Sequence, residues 1–299
     1  MKAKEMDTLW SILACPQCSS TLFINTNKII ECTSCNTLFK ETQSGKLDFR
    51  LRRPKRGSIP FCITPSYQPN EHLFHVLPLN SKPETEAVDE NFLSKEMASY
   101  IPRPSSEESL MLDLGCGNTR HRSTFEQAGF KYVGLDYTSQ ESTLLGDAHA
   151  LPFKANSFEF LFSFAVLEHL QFPFVAMNEA YRVLKWNSRL IGSVAFLEPF
   201  HGKSFYHHTH YGLLNCLEQA GFVVEHISPN ISWDVLTAQA SMVLFPKMPR
   251  LLRRSLVFPL RSIHKIYWKI GHFLYPYQIK EINRLLRTTG AFMFVASKE

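Results

Sequence analysis

Leu112-Asp113-Leu114-Gly115-Cys116-Gly117 is an apolar run ending in an acid and two glycines, and Val133-Gly134-Leu135-Asp136 is a second apolar run ending in an acid. A β-strand, a tight Gly-rich turn, a helix and a parallel strand read this way when they bind a nucleoside. Glycine serves where any Cβ would collide with the ligand, and an acid at the tip of the second strand accepts from both ribose hydroxyls. The dinucleotide fingerprint G-x-G-x-x-G is incomplete, because its third glycine falls on Arg120. The chain reads D-x-G-x-G instead, with Asp113 inside the turn.

Downstream come Gly146-Asp147-Ala148-His149-Ala150-Leu151-Pro152-Phe153 and then Asn156-Ser157-Phe158-Glu159-Phe160-Leu161-Phe162-Ser163. The latter is the near-continuous apolar run of a buried parallel strand. It leads into Ala165-Val166-Leu167-Glu168-His169-Leu170, followed by Tyr181-Arg182-Val183-Leu184-Lys185 and Leu190-Ile191-Gly192-Ser193-Val194. Taken in this order, the segments resemble the class I S-adenosylmethionine (SAM) methyltransferases, in particular their type 11 domain, over residues 108–228 and 289–297. The resemblance implies an α/β, Rossmann-like, seven-stranded sheet and a SAM site at Asp113, Gly115, Gly117, Asp136, Asp147, Ala148 and Phe164. Asp147 would accept from the exocyclic amine of adenine. Two departures stand out: Asn118-Thr119 replaces the family's second glycine pair, and Trp186-Asn187-Ser188 replaces its Pro-Gly-Gly turn. Asn tolerates the left-handed geometry of such a turn. The first departure bears on how the methionine carboxylate is held.

The chain has 299 residues and 44% hydrophobic content, enough for one α/β domain plus an appendage and too apolar for disorder. No apolar stretch reaches the length of a membrane span, and the first residues carry no secretory pattern, so a cytoplasmic protein is the default expectation. The net charge of +5 is uneven. Residues 235–298 hold eleven Lys and Arg against one acid, Glu281, so they carry 11 − 1 = +10 and the remainder carries 5 − 10 = −5.

Cys15-Pro-Gln-Cys18 and Cys32-Thr-Ser-Cys35 are two C-x-x-C knuckles with thirteen residues between them. Two such knuckles make a tetrahedral sulfur site suited to structural Zn²⁺; the rival reading is a redox pair. Thr21–Ile24 and Lys28–Glu31 read as a hairpin, completing a zinc ribbon too small to fold without its metal. It resembles the zinc-ribbon activator subunit of tRNA and protein methyltransferases.

The expected organisation is a ribbon over 1–50, a Pro-punctuated linker over 51–85, and a catalytic domain over 86–299. That domain would open on a helix from Glu86 to Tyr100 and carry a helical insert at about 230–288, before the last strand. Methyl transfer from a sulfonium needs alignment of nucleophile, methyl and leaving sulfur, plus a base where the acceptor starts protonated. The candidates are His169, which follows the fourth strand, and His201, His207 and His208 of a Glu198/His201/His207/His208/His210 cluster that could instead bind a divalent metal or be structural. The H-x-x-x-F/Y-x-x-x-T-x-x-G-L stretch resembles methyltransferases acting on sugars, lipids and secondary metabolites, which implies a small-molecule or lipid-linked acceptor.

In the insert, Leu252, Leu256, Leu260, Ile263, Tyr267, Ile270 and Leu274 share one helical face, with Arg261, Lys265 and Lys269 on another. Pro259 is expected to split the helix in two. Residues 250–275 read as a membrane-interfacial helix, making the protein peripheral to the membrane, or as a lid; the alternative is a cap packed on its own domain or a dimer mate. Two rival functions remain open. One is RNA base methylation using the ribbon and the basic insert, although Ser163-Phe-Ala-Val166 lacks the Asn/Asp-Pro-Pro-Tyr loop of amine-directed nucleic-acid enzymes. The other is a non-catalytic SAM-binding scaffold.

Overall fold

The computed structural model describes residues 3–26, 29–51, 93–276 and 281–299. The connector, with Cys62 and most of the basic run after Arg50, lies outside the described residues apart from Leu51, as do residues 86–92 of the expected first helix. The chain opens with helix α1 (Ala3–Ile12) and strands β1 (Leu22–Ile24), β2 (Ile30–Cys32), β3 (Leu38–Glu41) and β4 (Leu47–Asp48). Beyond the connector come α2 (Lys95–Ser99), β5 (Leu110–Leu114), α3 (Arg122–Gln127), β6 (Lys131–Asp136), β7 (Leu144–Leu145) and β8 (Phe158–Phe164). A single 3₁₀ turn, Leu167–His169, leads to α4 (Pro173–Val183), β9 (Leu184–Ala195), α5 (His210–Gln219) and β10 (Val223–Pro229). Finally α6 (Val235–Gln239), α7 (Arg250–Leu274) and α8 (Glu281–Thr288) precede β11 (Ala291–Lys298).

The sheet has eleven strands, not the expected seven, in the order β1-β2-β3-β4-β7-β6-β5-β8-β9-β11-β10. The stretch from β7 to β10 is the doubly wound part. There β5 lies parallel to both β6 and β8, β9 is parallel to β8, and β11 runs antiparallel between β9 and β10. The four additional strands belong to the N-terminal cysteine segment. They join because β4 pairs in parallel with β7 at Asp48 and Leu145, and the Phe49 N–H donates to the Leu145 carbonyl at 2.9 Å. An edge strand of two residues leaves its backbone groups open, and the segment satisfies them.

Every residue of β5 is buried, as a strand covered on both faces requires. One face packs Phe125, Phe130, Phe160, Phe162 and Met97; the other packs α4 and α5 against Leu161, Leu190 and Phe292. Leu9, Leu13, Phe39 and Phe49 belong to that second core, so the cysteine segment has no separate interior. The described part of the expected first helix is α2, capped by Ser94, whose Oγ accepts from Met97 N–H at 3.1 Å.

Helix α7 runs unbroken through Pro259, against the expected split. The proline ring removes one i→i−4 bond, but the helix is held on either side of it. Arg253 donates to the Ser241 carbonyl at 3.4 Å, and Arg261 pairs with Asp234 at 2.8 Å.

Candidate active site

The order of the strands reverses at β5, between β6 and β8, and ligands of open α/β sheets bind at such a switch point, outside the strands' carboxyl ends. Two glycines shape the turn there in different ways. Gly115 has φ +75°, and a Cβ on it would lie 2.5 Å from Val166 Cγ2, so its bareness serves packing against the segment after β8. Gly117 has φ +51°, and a Cβ on it would meet nothing within 4 Å, which leaves open space above the turn for a ligand. Thr119 stands in the family's glycine position and takes φ +53°, a strained conformation for a β-branched residue. Asn187, in the other departure, takes φ +58°, which Asn adopts at little cost.

The carboxylates of the two motif strands are used differently. Asp136 Oδ1 accepts from the N–H groups of Thr138 and Ser139, both at 2.8 Å, and Oδ2 accepts from Gly117 N–H at 3.0 Å. A carboxylate has about four acceptor positions, so Oδ2 keeps capacity for a ribose hydroxyl while Asp136 ties the two ligand-facing turns together. Asp113 instead faces the interior. It is 3% exposed and accepts from the Tyr132 hydroxyl at 2.6 Å. Burial pushes its pKa up to about 7, with Tyr132 opposing the shift and Asp136 adding to it.

Asp147 Oδ1 accepts from the backbone N–H of His149 at 2.9 Å and from its ring Nδ1 at 2.6 Å, while His149 Nε2 accepts from Phe172 N–H at 3.2 Å. Against the upward push of burial, the His149 bonds hold Asp147 below its ordinary range. Its second oxygen remains for the adenine amine that the family resemblance implies. Ala148 is buried in the same turn, and Phe164 lies half-buried at the end of β8. Gly117, Asp136 and Asp147 together bring open space and carboxylate acceptors to the carboxyl end of the sheet. Tyr132 and His149 hold the two acids Asp113 and Asp147, and their sequence signal is no more than proximity to the motif residues.

The histidine cluster comes together only in part. Glu168 carbonyl accepts from Phe205 and Tyr206 N–H at 2.7 and 3.2 Å, which lays the turn after β9 against the turn after β8. His169 and His201 then meet edge to face with ring centres 5.1 Å apart, and His207 lies 6.4 Å from His201. Burial, and then His201, lowers the His169 pKa. His208 is buried beside Tyr206, and His210 packs on Tyr211 and Phe292, so neither joins the group. Thr209 caps α5, its Oγ1 accepting from Gly212 N–H at 3.0 Å, so the T-x-x-G part of the motif is a helix start.

Glu168 itself is 0% exposed, and neither carboxylate oxygen has a hydrogen-bond partner. Burial pushes its pKa up to about 7, reinforced by Glu198. Glu198 Oε1 accepts from Trp233 Nε1 at 2.7 Å, linking the insert to this centre. At the far edge of the sheet, the Sγ atoms of Cys15, Cys18, Cys32 and Cys35 all lie within 4.8 Å of one another, and none of the four forms a disulfide.

Residues 112–192, from β5 into β9, match the family model described as Methyltransferase domain. No curated protein matches the chain. Among solved structures, the chain is similar to phosphoethanolamine N-methyltransferase 2 of Haemonchus contortus at 15% identity and a TM-score of 0.43, over 68% of this chain and 51% of that one. The chain therefore spans about half the length of that enzyme. An S-adenosylmethionine-dependent methyltransferase of Mesorhizobium loti matches at 13% identity and a TM-score of 0.40, over 68% and 95% of the two chains. Geranyl diphosphate C-methyltransferase of Streptomyces coelicolor matches at 11% identity and a TM-score of 0.41, over 69% and 78%. Residues 112–192 thus carry the chain's likeness to a methyltransferase domain.

Proposed function

We propose that the whole chain transfers a methyl group from SAM to a small, anionic, lipid-linked acceptor at a membrane surface. Bound SAM supplies a methyl already activated on a sulfonium, so the protein's task is alignment and exclusion of water. Asp136 and the Gly117 turn orient the nucleoside, Asp147 and His149 the base. The Glu168–His169–His201 wall borders the side from which an acceptor approaches.

The observation that carries the acceptor class is the setting of α7. None of its residues is buried. Leu252, Leu256, Leu260, Ile263, Tyr267, Ile270 and Leu274 are all more than half exposed, so the apolar stripe faces away from the domain. Its inner side, with Arg254, Arg261, Lys265 and Lys269, joins Arg284 and Asp234 around a cavity of about 770 Å³. A helix with an outward apolar face, six Lys and Arg and no acid suits the plane of an anionic membrane. Among the described residues no helix is long and apolar enough to cross a membrane, so contact would be peripheral.

The four-cysteine cluster fits a closed, structural Zn²⁺ site by its donor set. Elemental analysis should find zinc that is lost in Cys32→Ser.

The test of the acceptor is methyl-labelled SAM incubated with the protein and, separately, anionic lipid vesicles carrying a lipid extract, a water-soluble metabolite extract and total RNA. Label in the lipid fraction is expected. Label in RNA would replace this reading with base methylation, and label in no fraction would favour a scaffold.

A further inference from the structure

We propose that Glu168, His169 and His201 bind a first-row divalent transition-metal cation of the Zn²⁺ type, at a second site distinct from the four cysteines. One ligand atom from each residue lies within 4.8 Å of the others. Metal bonds of about 2.0–2.2 Å to nitrogen and carboxylate oxygen need only small side-chain rotations from there.

Three further observations point to a cation. First, a carboxylate with no exposure and no hydrogen-bond partner is costly to bury, and a cation among its neighbours removes that cost. Second, the His201 imidazole is anchored by the backbone. His201 Nδ1 donates to the Pro199 carbonyl at 3.0 Å, which leaves the Nε2 lone pair available, and His169 meets it edge to face with ring centres 5.1 Å apart. Ligating histidines are characteristically oriented by such a bond on the other ring nitrogen. Third, Glu198, half-buried and 3.7 Å from His201 Nδ1, adds a second carboxylate at the rim. A donor set of two nitrogens and one oxygen suits zinc and its neighbours rather than Mg²⁺ or Ca²⁺.

Three protein ligands leave a coordination position open, as in catalytic and not structural zinc sites. Val166, two residues before Glu168, packs on Gly115 of the SAM turn, so the cation would lie on the acceptor side of the methyl donor. Its role rests on the methyl transfer proposed above. There it would polarise an acceptor hydroxyl and lower its pKa, the proton leaving to water.

Cobalt(II) distinguishes the two sites in the full chain. Bound to four thiolates it gives intense sulfur-to-metal charge-transfer absorption, whereas bound to two imidazoles and a carboxylate it gives only weak visible bands. Metal-depleted wild type titrated with Co²⁺ should take up two equivalents, one of each spectral kind. Glu168→Gln, which preserves shape, and His201→Ala should each weaken the second equivalent at least about tenfold and keep the first. A single thiolate-type equivalent in wild type, or a second equivalent undiminished in both variants, overturns the site. A second equivalent in a protein that labels no lipid leaves the site standing and overturns only the acceptor.

Discussion

The two ends of the sheet carry opposite kinds of appendage. At the β4–β7 edge the cysteine segment turns its apolar residues inward, and Leu9, Leu13, Phe39 and Phe49 complete the core of the doubly wound sheet. At the β10–β11 edge α7 turns its charged side inward around the cavity and leaves Leu256, Ile263, Ile270 and Phe273 in solvent. Both segments were legible as units, one from cysteine spacing and one from helical period. Period states which residues share a face, not which way the face points. The difference between the two edges is therefore a difference of partner: the apolar side of the first is covered from within the chain, and that of the second is left exposed among the described residues.

Several measurements can break or sharpen that contrast. The largest effect belongs to Phe49→Ala. Phe49 is 0% exposed and packs on Phe39 with ring centres 5.2 Å apart, so the variant should lose about 3–5 kcal/mol in denaturant unfolding. A loss below about 1 kcal/mol would mean the segment is merely tethered.

The centre of the sheet supplies an intermediate reference. Asp113 has its pKa raised from 3.8 to about 7 in the folded protein, so its stability contribution is fully present below about 4 and lost as pH rises towards 7. Asp113→Asn keeps an acceptor for Tyr132 and removes that loss. The variant's advantage over wild type should grow between pH 4 and 7 to about 2–4 kcal/mol, measured by urea unfolding across the range. An advantage independent of pH would contradict the burial of a titrating carboxyl. Thr119→Gly relieves a left-handed β-branched residue at some cost in unfolded-state entropy, for a net gain of about 0.5 kcal/mol in the same assay; a net loss would mean the threonine side chain is needed there.

The smallest effect on stability should come from the other edge. Phe273 is 85% exposed, and Phe273→Ser should change unfolding by no more than about 0.5 kcal/mol while weakening sedimentation with anionic vesicles. A stability loss near that of Phe49→Ala would show that α7 has a partner within the protein, and the contrast between the edges would disappear.

The doubly wound core was readable because its constraints are local. Asp113, Gly115, Gly117 and Asp136 occupy strand tips and a turn, where a few residues determine the geometry. The left-handed Asn187 was foreseeable on the same grounds. Features made by distant contacts were not legible. The inward turn of Asp113 depends on Tyr132 nineteen residues later, and the division of the histidines depends on where the chain after β9 lies against Glu168. The count of strands changed because a two-residue edge at Leu144–Leu145 accepted the cysteine segment, and no pattern in the sequence announces such a pairing. Pro259 misled for a related reason: its local cost was offset by Arg253 and Arg261 reaching neighbouring turns.

The proposed methyl transfer rests on SAM binding at the turn after β5 and the tip of β6. Calorimetric titration of SAM into wild type and Asp136→Ala tests it most directly. Wild type should bind one SAM per chain. The variant, losing a ribose acceptor and the tie to Gly117, should bind about 1–3 kcal/mol more weakly while keeping its far-ultraviolet circular dichroism. Equal affinity in the two proteins, or no binding by wild type, would contradict the account.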